Sequence, residues 1–110
     1  MKYLITESQF DRAVFLYLNY QNFVQIKKRH IIYFVNSEDN EYAQINYNKK
    51  NGLCNIKYTL IKDVSSLFSL DESDCRKVIG SWVENTLQMK VITTFSPIGM
   101  DPSRLMLPSN

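Results

Sequence analysis

Apolar residues recur with a helical period near both ends of the chain and with a strand period between them. The most regular stretch is SLDESDCRKVIGSWVENTL at residues 69–87. There Cys75, Val78, Ile79, Trp82, Val83 and Leu87 fall at i, i+3, i+4, i+7, i+8 and i+12, one stripe of a 3.6-residue period. The opposite face is charged, so the spacing predicts a long amphipathic helix. Two start signals compete for its first turn: Ser69 with Glu72 as a capping box, or Asp71 as N-cap with Asp74 at N3. Both put acids at the positive end of the helix dipole. An earlier helix is announced by ITESQ. Thr6 is placed to cap it, Gln9 to answer as a capping box, and Ile5 to staple onto Phe10. Phe10, Ala13, Val14, Tyr17 and Leu18 keep helical spacing. Phe15, Leu16 and Tyr20 spread the apolar surface round the cylinder, so more than one face needs cover, from the sheet, another helix or a second protomer. Asn19 and Asn22 favour caps and turns and end this helix near residues 20–22.

From Phe23 the pattern changes to β-branched and aromatic residues. FVQIK reads as a short edge strand, and HIIYFV at residues 30–35 is apolar enough for a central strand covered on both faces. After the polar loop NSEDNE, YAQINY alternates. Ala43, Ile45 and Tyr47 are expected on one face, with Tyr42, Gln44 and Asn46 on the other. NKKNG forms a hairpin turn in which Gly52 takes positive φ. The return strand LCNIKYTL would then set Cys54, Ile56, Tyr58 and Leu60 on one face. The expected product is an antiparallel meander of three or four strands, one face dry and one wet. Helical period resumes at Ile61, Val64, Leu67 and Phe68, a short helix leading into the long one. VITTF can supply one more short strand. The last residues, SPIGMDPSRLMLPSN, interleave Pro97, Pro102 and Pro108 with apolar side chains, which excludes a continuous helix or central strand.

The fold class is therefore α+β: an N-terminal helix, the meander, a short helix and the long helix, packed on one sheet face. Residues 1–95 form a single domain and residues 96–110 an extended apolar tail that either lies along its own domain or docks on another chain. At 110 residues, 45% hydrophobic and 22% charged, the chain has the composition of one globular domain. Cys54 and Cys75 lack CxxC spacing and read as reduced core thiols rather than a disulfide, which implies a cytosolic setting. MKYLITES is no signal peptide, and no stretch reaches the length of a membrane span.

Candidate chemistry is sparse. His30 is the sole histidine, follows KKR and reads as a strand-start surface residue, so no His-centred triad or metal site is signalled. Glu72 and Asp74 are explained by capping. GxGxxG, GxxxxGK[ST] and GxSxG are all missing. No catalytic, cofactor-binding or metal-ligating residue is expected, and no small-molecule substrate. Net charge is only +2, but residues 24–62 carry seven Lys or Arg against three acids. Lys27, Lys28, Arg29, Lys49, Lys50 and Lys57, with tyrosines nearby, are candidate nucleic-acid contacts. The tail residues Ile98, Met100, Leu105, Met106 and Leu107 are candidate protein contacts.

The opening MKYLITESQ, the run YTLIKDVSSLFSLDES and the helix segment IGSWVENTLQM followed by VITTF resemble a group of small uncharacterised proteins of marine tailed phages. Asn85 stands where that pattern is usually acidic, and the tail from Ser96 lies outside it. The resemblance implies a viral origin and transfers no activity, cofactor or catalytic residue. The expected function is non-catalytic protein binding, with a protein partner or self-association, as a viral accessory factor or small virion component. Its location would be the cytoplasm of an infected host cell or the virion. The alternative is a nucleic-acid-binding accessory protein using the basic hairpin.

Overall fold

The computed structural model describes residues 7–36, 41–96 and 105–108. In chain order the elements are α1 (Glu7–Tyr20), β1 (Val24–Lys28), β2 (Ile31–Val35), β3 (Ile45–Asn48), β4 (Leu53–Ile56), α2 (Tyr58–Phe68), α3 (Glu72–Leu87) and β5 (Thr93–Phe95). The strands form one sheet in the order β1-β2-β3-β4-β5. The first four make the expected antiparallel meander, and β5 joins β4 in parallel after the helical crossover. The architecture is α+β.

All three helices cover the same sheet face. Val14 and Leu18 of α1, Leu60, Ile61 and Val64 of α2, and Cys75, Val78, Ile79, Trp82 and Val83 of α3 close over Ile32, Phe34, Ile45, Tyr47, Cys54 and Ile56. Trp82 sits at the junction of helices and sheet. Its ring lies 5.3 Å from that of Phe34 and 5.8 Å from that of Phe23, and its Nε1–H donates to Asn19 Oδ1 at 3.0 Å. The long-helix stripe is buried as its spacing requires, with Leu87 half-buried at its end.

Of the two rival starts for α3, Asp71 is the N-cap, its carboxylate accepting from the Asp74 N–H at 2.8 Å. Ser69 instead ends α2 in the left-handed region at φ 53°, its N–H donating to the Ser65 carbonyl. Glu72 is thereby released from capping and accepts from the Tyr58 hydroxyl at 2.9 Å. At the C-terminus of α1, Asn22 lies at φ 54°, where the asparagine-rich end was expected. Ile5 and Thr6 lie outside the described residues, as do the side chains of Gln9 and Phe10.

Several expectations are corrected. The return strand stops at Ile56, and Tyr58 to Leu60, read as strand, open α2. Leu60, Ile61 and Val64 at i, i+1 and i+4 bury one helical face, and that burial outweighs a strand alternation that Leu60 also satisfies. Leu67, assigned to the inner stripe, is 61% exposed. Ala43 does not share a face with Ile45 and Tyr47. Gln44 donates to the Phe34 carbonyl although Ile45 is the register partner of Phe34, so two residues oppose one as in a β-bulge. The bulge flips the parity, and Ala43 lands on the far face.

That far face is not simply wet. Tyr33, Val35 and Ala43 are buried there with Leu105, which is 3% exposed, and Ile31 and Leu107 pack against them. The Ala43 N–H donates to the Leu105 carbonyl at 2.7 Å and the Leu107 N–H to the Glu41 carbonyl at 2.8 Å. The described part of the tail thus lies along its own domain. Asn46 and Asn55, also on this face, are buried as a cross-strand pair, with Asn55 Nδ2 donating to Asn46 Oδ1 at 3.0 Å. Apolarity of the kind seen in β2 is therefore that of a strand covered on both faces.

Candidate nucleic-acid interface

An up-and-down meander returns alternate turns to the same end of its sheet. The turn between β1 and β2 and the turn between β3 and β4 are neighbours here for that reason: Lys28 pairs with Ile31, and Ile31 with Asn48. The Lys49 N–H donates to the His30 carbonyl at 2.8 Å and joins the two turns directly. Lys27, Lys28, Arg29, Lys49 and Lys50, all exposed, are gathered at this end. Residues 24–36 and 45–57 contain no Asp or Glu, and none of these five cations forms an ion pair within the described residues. Lys57 is not among them. It lies at the far end of β4, half-buried, with its Nζ 5.9 Å from the centroid of the Tyr42 ring.

Local geometry holds the lysine turn firmly. Asn48 Oδ1 accepts from the Lys50 N–H at 2.9 Å, Asn51 Oδ1 from the Leu53 N–H at 3.0 Å, and the Asn48 carbonyl from the Gly52 N–H at 2.8 Å. Gly52 has the expected positive φ, +71°, and its carbonyl receives the Ile92 N–H at 2.8 Å. A Cβ on Gly52 would collide with Ile92 Cγ1. The turn is thereby tied to the segment leading into β5. On the other turn Arg29 occupies φ 58°, a region costing a non-glycine residue roughly 1–2 kcal/mol. A long cation held in that conformation at a turn tip is the kind of local strain that collects at functional positions.

The chemistry available here is charge complementarity. The tyrosines do not build a stacking platform: Tyr47 is in the main core, Tyr33 is on the far face, Tyr42 lies under Lys57 and Tyr58 opens α2. The Tyr47 hydroxyl donates to the Lys90 carbonyl at 2.6 Å, and burial is the main cause that raises its pKa. The thiols are also inert, because burial pushes Cys54 up to about 12 and Cys75 up to about 11. An open groove of 540 Å³ between α1 and the end of α3 is lined by Phe15, Ser81, Glu84, Asn85, Gln88, Met89 and Lys90. Its only acid, Glu84, accepts from the Val91 N–H at 2.9 Å. Among the described residues no cluster of His, Cys, Asp or Glu is placed to hold a metal ion, and no helix is long and apolar enough to cross a membrane.

Of the tail candidates, Leu105 is buried against the domain's own sheet, Leu107 is half-buried and Met106 is exposed; Ile98 and Met100 lie outside the described residues. The sequence groups the six basic residues as one candidate surface; what it does not give is that two turns joined by the Lys49–His30 hydrogen bond carry five of them while Lys57 stands apart. The signal for it was the strand alternation itself, since any meander brings its first and third turns together. No protein-family model, curated protein or solved structure matches the chain.

Proposed function

We propose that the protein is a non-catalytic binding protein that engages the phosphate backbone of a nucleic acid through the basic end of its sheet. The observation that carries this reading is the junction of two cationic turns by the Lys49–His30 hydrogen bond, with no acid on the strands that bear them. Exposed cations on a fixed scaffold neutralise phosphates and release counterions, whereas the strand tyrosines are divided between the two sheet faces, with Tyr33 and Tyr47 buried, and present no common stacking surface, so backbone contact is the mode that fits. A role as a viral accessory factor, implied by the ITESQ and FSL segments, belongs to the same proposal.

The test is fluorescence anisotropy with a labelled duplex across about 50–200 mM salt. Log K should fall linearly with log salt, with a slope of about −0.9 for each phosphate neutralised. Replacing both Lys49 and Lys50 by Ala should reduce the slope by about 1 per lost contact, roughly equally for all sequences. No binding at the low-salt limit sinks the proposal.

A second reading, protein binding, is favoured by the α1 surface. Leu16 and Tyr20, one helical turn apart, are 54% and 80% exposed, so the cover expected for that side of the helix does not come from within the described chain. If this reading holds, Leu16→Ser with Tyr20→Ser abolishes capture of a protein partner and leaves duplex binding unchanged.

A further inference from the structure

β1 is one of the two edge strands of the sheet and, at five residues against three in β5, the longer; all five of its residues are exposed, with Val24 at 54% and Ile26 at 38%. The parity of the sheet fixes which of its main-chain groups point outward. The carbonyls of His30 and Phe34 accept from Lys49 and Gln44 on the β3 side. Ile31, Tyr33 and Val35 therefore turn their main-chain groups toward β1. Their partners Lys28, Ile26 and Val24 are satisfied by β2. The N–H and C=O of Gln25 and Lys27 are left pointing away from the sheet, with no partner within the described residues.

We infer that this edge pairs with the same edge of a second copy, β1 against β1 in antiparallel sense, about a two-fold axis at Ile26. The register follows from the parity. Gln25 exchanges main-chain hydrogen bonds with Lys27 of the second copy, which places the two Ile26 residues opposite each other as a non-hydrogen-bonded pair. Lys28 then faces Val24 of the second copy, and Lys27 faces Gln25. Lysines on an edge strand normally deter strand addition. In this register no lysine opposes a lysine, whereas a parallel pairing sets Lys27 and Lys28 of both copies side by side. The apolar stem of Lys28 also lies over Val24, and the exposed Ile26 side chains cover each other. The charges that protect the edge against other arrangements thus permit this one. Lys27 and Lys28 belong to both the paired segment and the basic end, whereas Arg29, Lys49 and Lys50 lie outside the pairing; the inference rests on the main-chain parity of β1 and not on the nucleic-acid reading.

The test uses the full chain. Sedimentation velocity at high micromolar concentration should show a dimer that dissociates on dilution. Ile26→Cys should form a disulfide-linked dimer under mild oxidation, because Cα atoms of a non-hydrogen-bonded pair lie about 4.5 Å apart, within the range a disulfide spans. Thr59→Cys, exposed on α2, should not, and the native thiols are buried. Gln25→Pro removes an outward N–H that the chain itself does not use, and should sediment as a monomer with an unchanged circular dichroism spectrum. A monomer at all concentrations overturns the inference. So does a dimer that Ile26→Cys fails to crosslink, an outcome that moves the contact to Leu16 and Tyr20 on α1.

Discussion

Trp82 Nε1–H donates to Asn19 Oδ1 at 3.0 Å, linking the last turn of α1 to the third turn of α3 beside the Phe23 and Phe34 rings. An indole buried at this position needs a partner for its one polar group, and Asn19 supplies it from the helix end where asparagine is otherwise a poor helix former. Trp82→Phe should keep the ring packing but orphan Asn19 and leave a gap. Trp82→Ala should cost about 3–5 kcal/mol. Asn19→Ala alone should cost about 1–3 kcal/mol by leaving the indole N–H unsatisfied. Urea denaturation of the three variants measures these values. If Asn19→Ala costs as much in the Trp82→Phe background as in the wild type, the hydrogen bond contributes nothing.

In the proposed interface, Arg29 at φ 58° would set stability against binding. Arg29→Gly removes the side chain's steric conflict and should raise stability, by up to about 1 kcal/mol once glycine's larger unfolded-state entropy is subtracted. The same change removes one cation from the basic end and should make the salt slope of duplex binding shallower by about 1. Thermal denaturation and anisotropy on the same sample read both effects. A variant that is both less stable and equally salt-dependent excludes a strained, functional arginine.

The buried thiols make the fold sensitive to alkali. Burial raises Cys54 to about 12 and Cys75 to about 11, each above an unfolded value of 9. A group whose folded pKa is raised stabilises the fold fully below its unfolded pKa, and that contribution is lost as pH climbs from there toward the folded value. Stability should therefore be flat around neutrality and fall from about pH 9 upward, by a few kcal/mol for Cys54. Urea midpoints at pH 8 and pH 10.5 should converge when Cys54→Ala and Cys75→Ala are combined. Tyr47 and Tyr17, also raised by burial, contribute a residual slope in that variant.

What could be read from the sequence was whatever a local pattern determines. The stripe of α3, the turn at Gly52, the double-sided apolarity of β2 and the edge position of β1 each follow from residue spacing within one element. Failures came where two periods overlap or where one extra residue intervenes. Leu60 fits both a strand alternation from Cys54 and a helical set with Ile61 and Val64, and only burial against α3 and the sheet decides between them. Gln44 looks like an ordinary outward strand residue, and its bulge shows only in the structure, where it donates to the Phe34 carbonyl although Ile45 is the register partner of Phe34. For the candidate site, the lysines were plain and their convergence was a matter of topology. The seating of Leu105 on Ala43 depends on a pairing distant in sequence, which no periodicity encodes.

The parallel pairing of β5 has a consequence for the order of folding. The β1–β2 and β3–β4 hairpins close over short turns, and β2–β3 over a longer loop. β5 must instead wait for α2 and α3 to span the sheet, and Gly80, where a Cβ would stand 2.6 Å from Thr94 Cγ2, leaves room for that strand only once α3 is seated. Loop-closure entropy places such a contact late. During synthesis the chain thus exposes both flanks of its sheet for a time, and β5 then seals the β4 flank. The β1 edge, by contrast, is complete once the first hairpin forms, so the pairing proposed for it would not have to wait for β5.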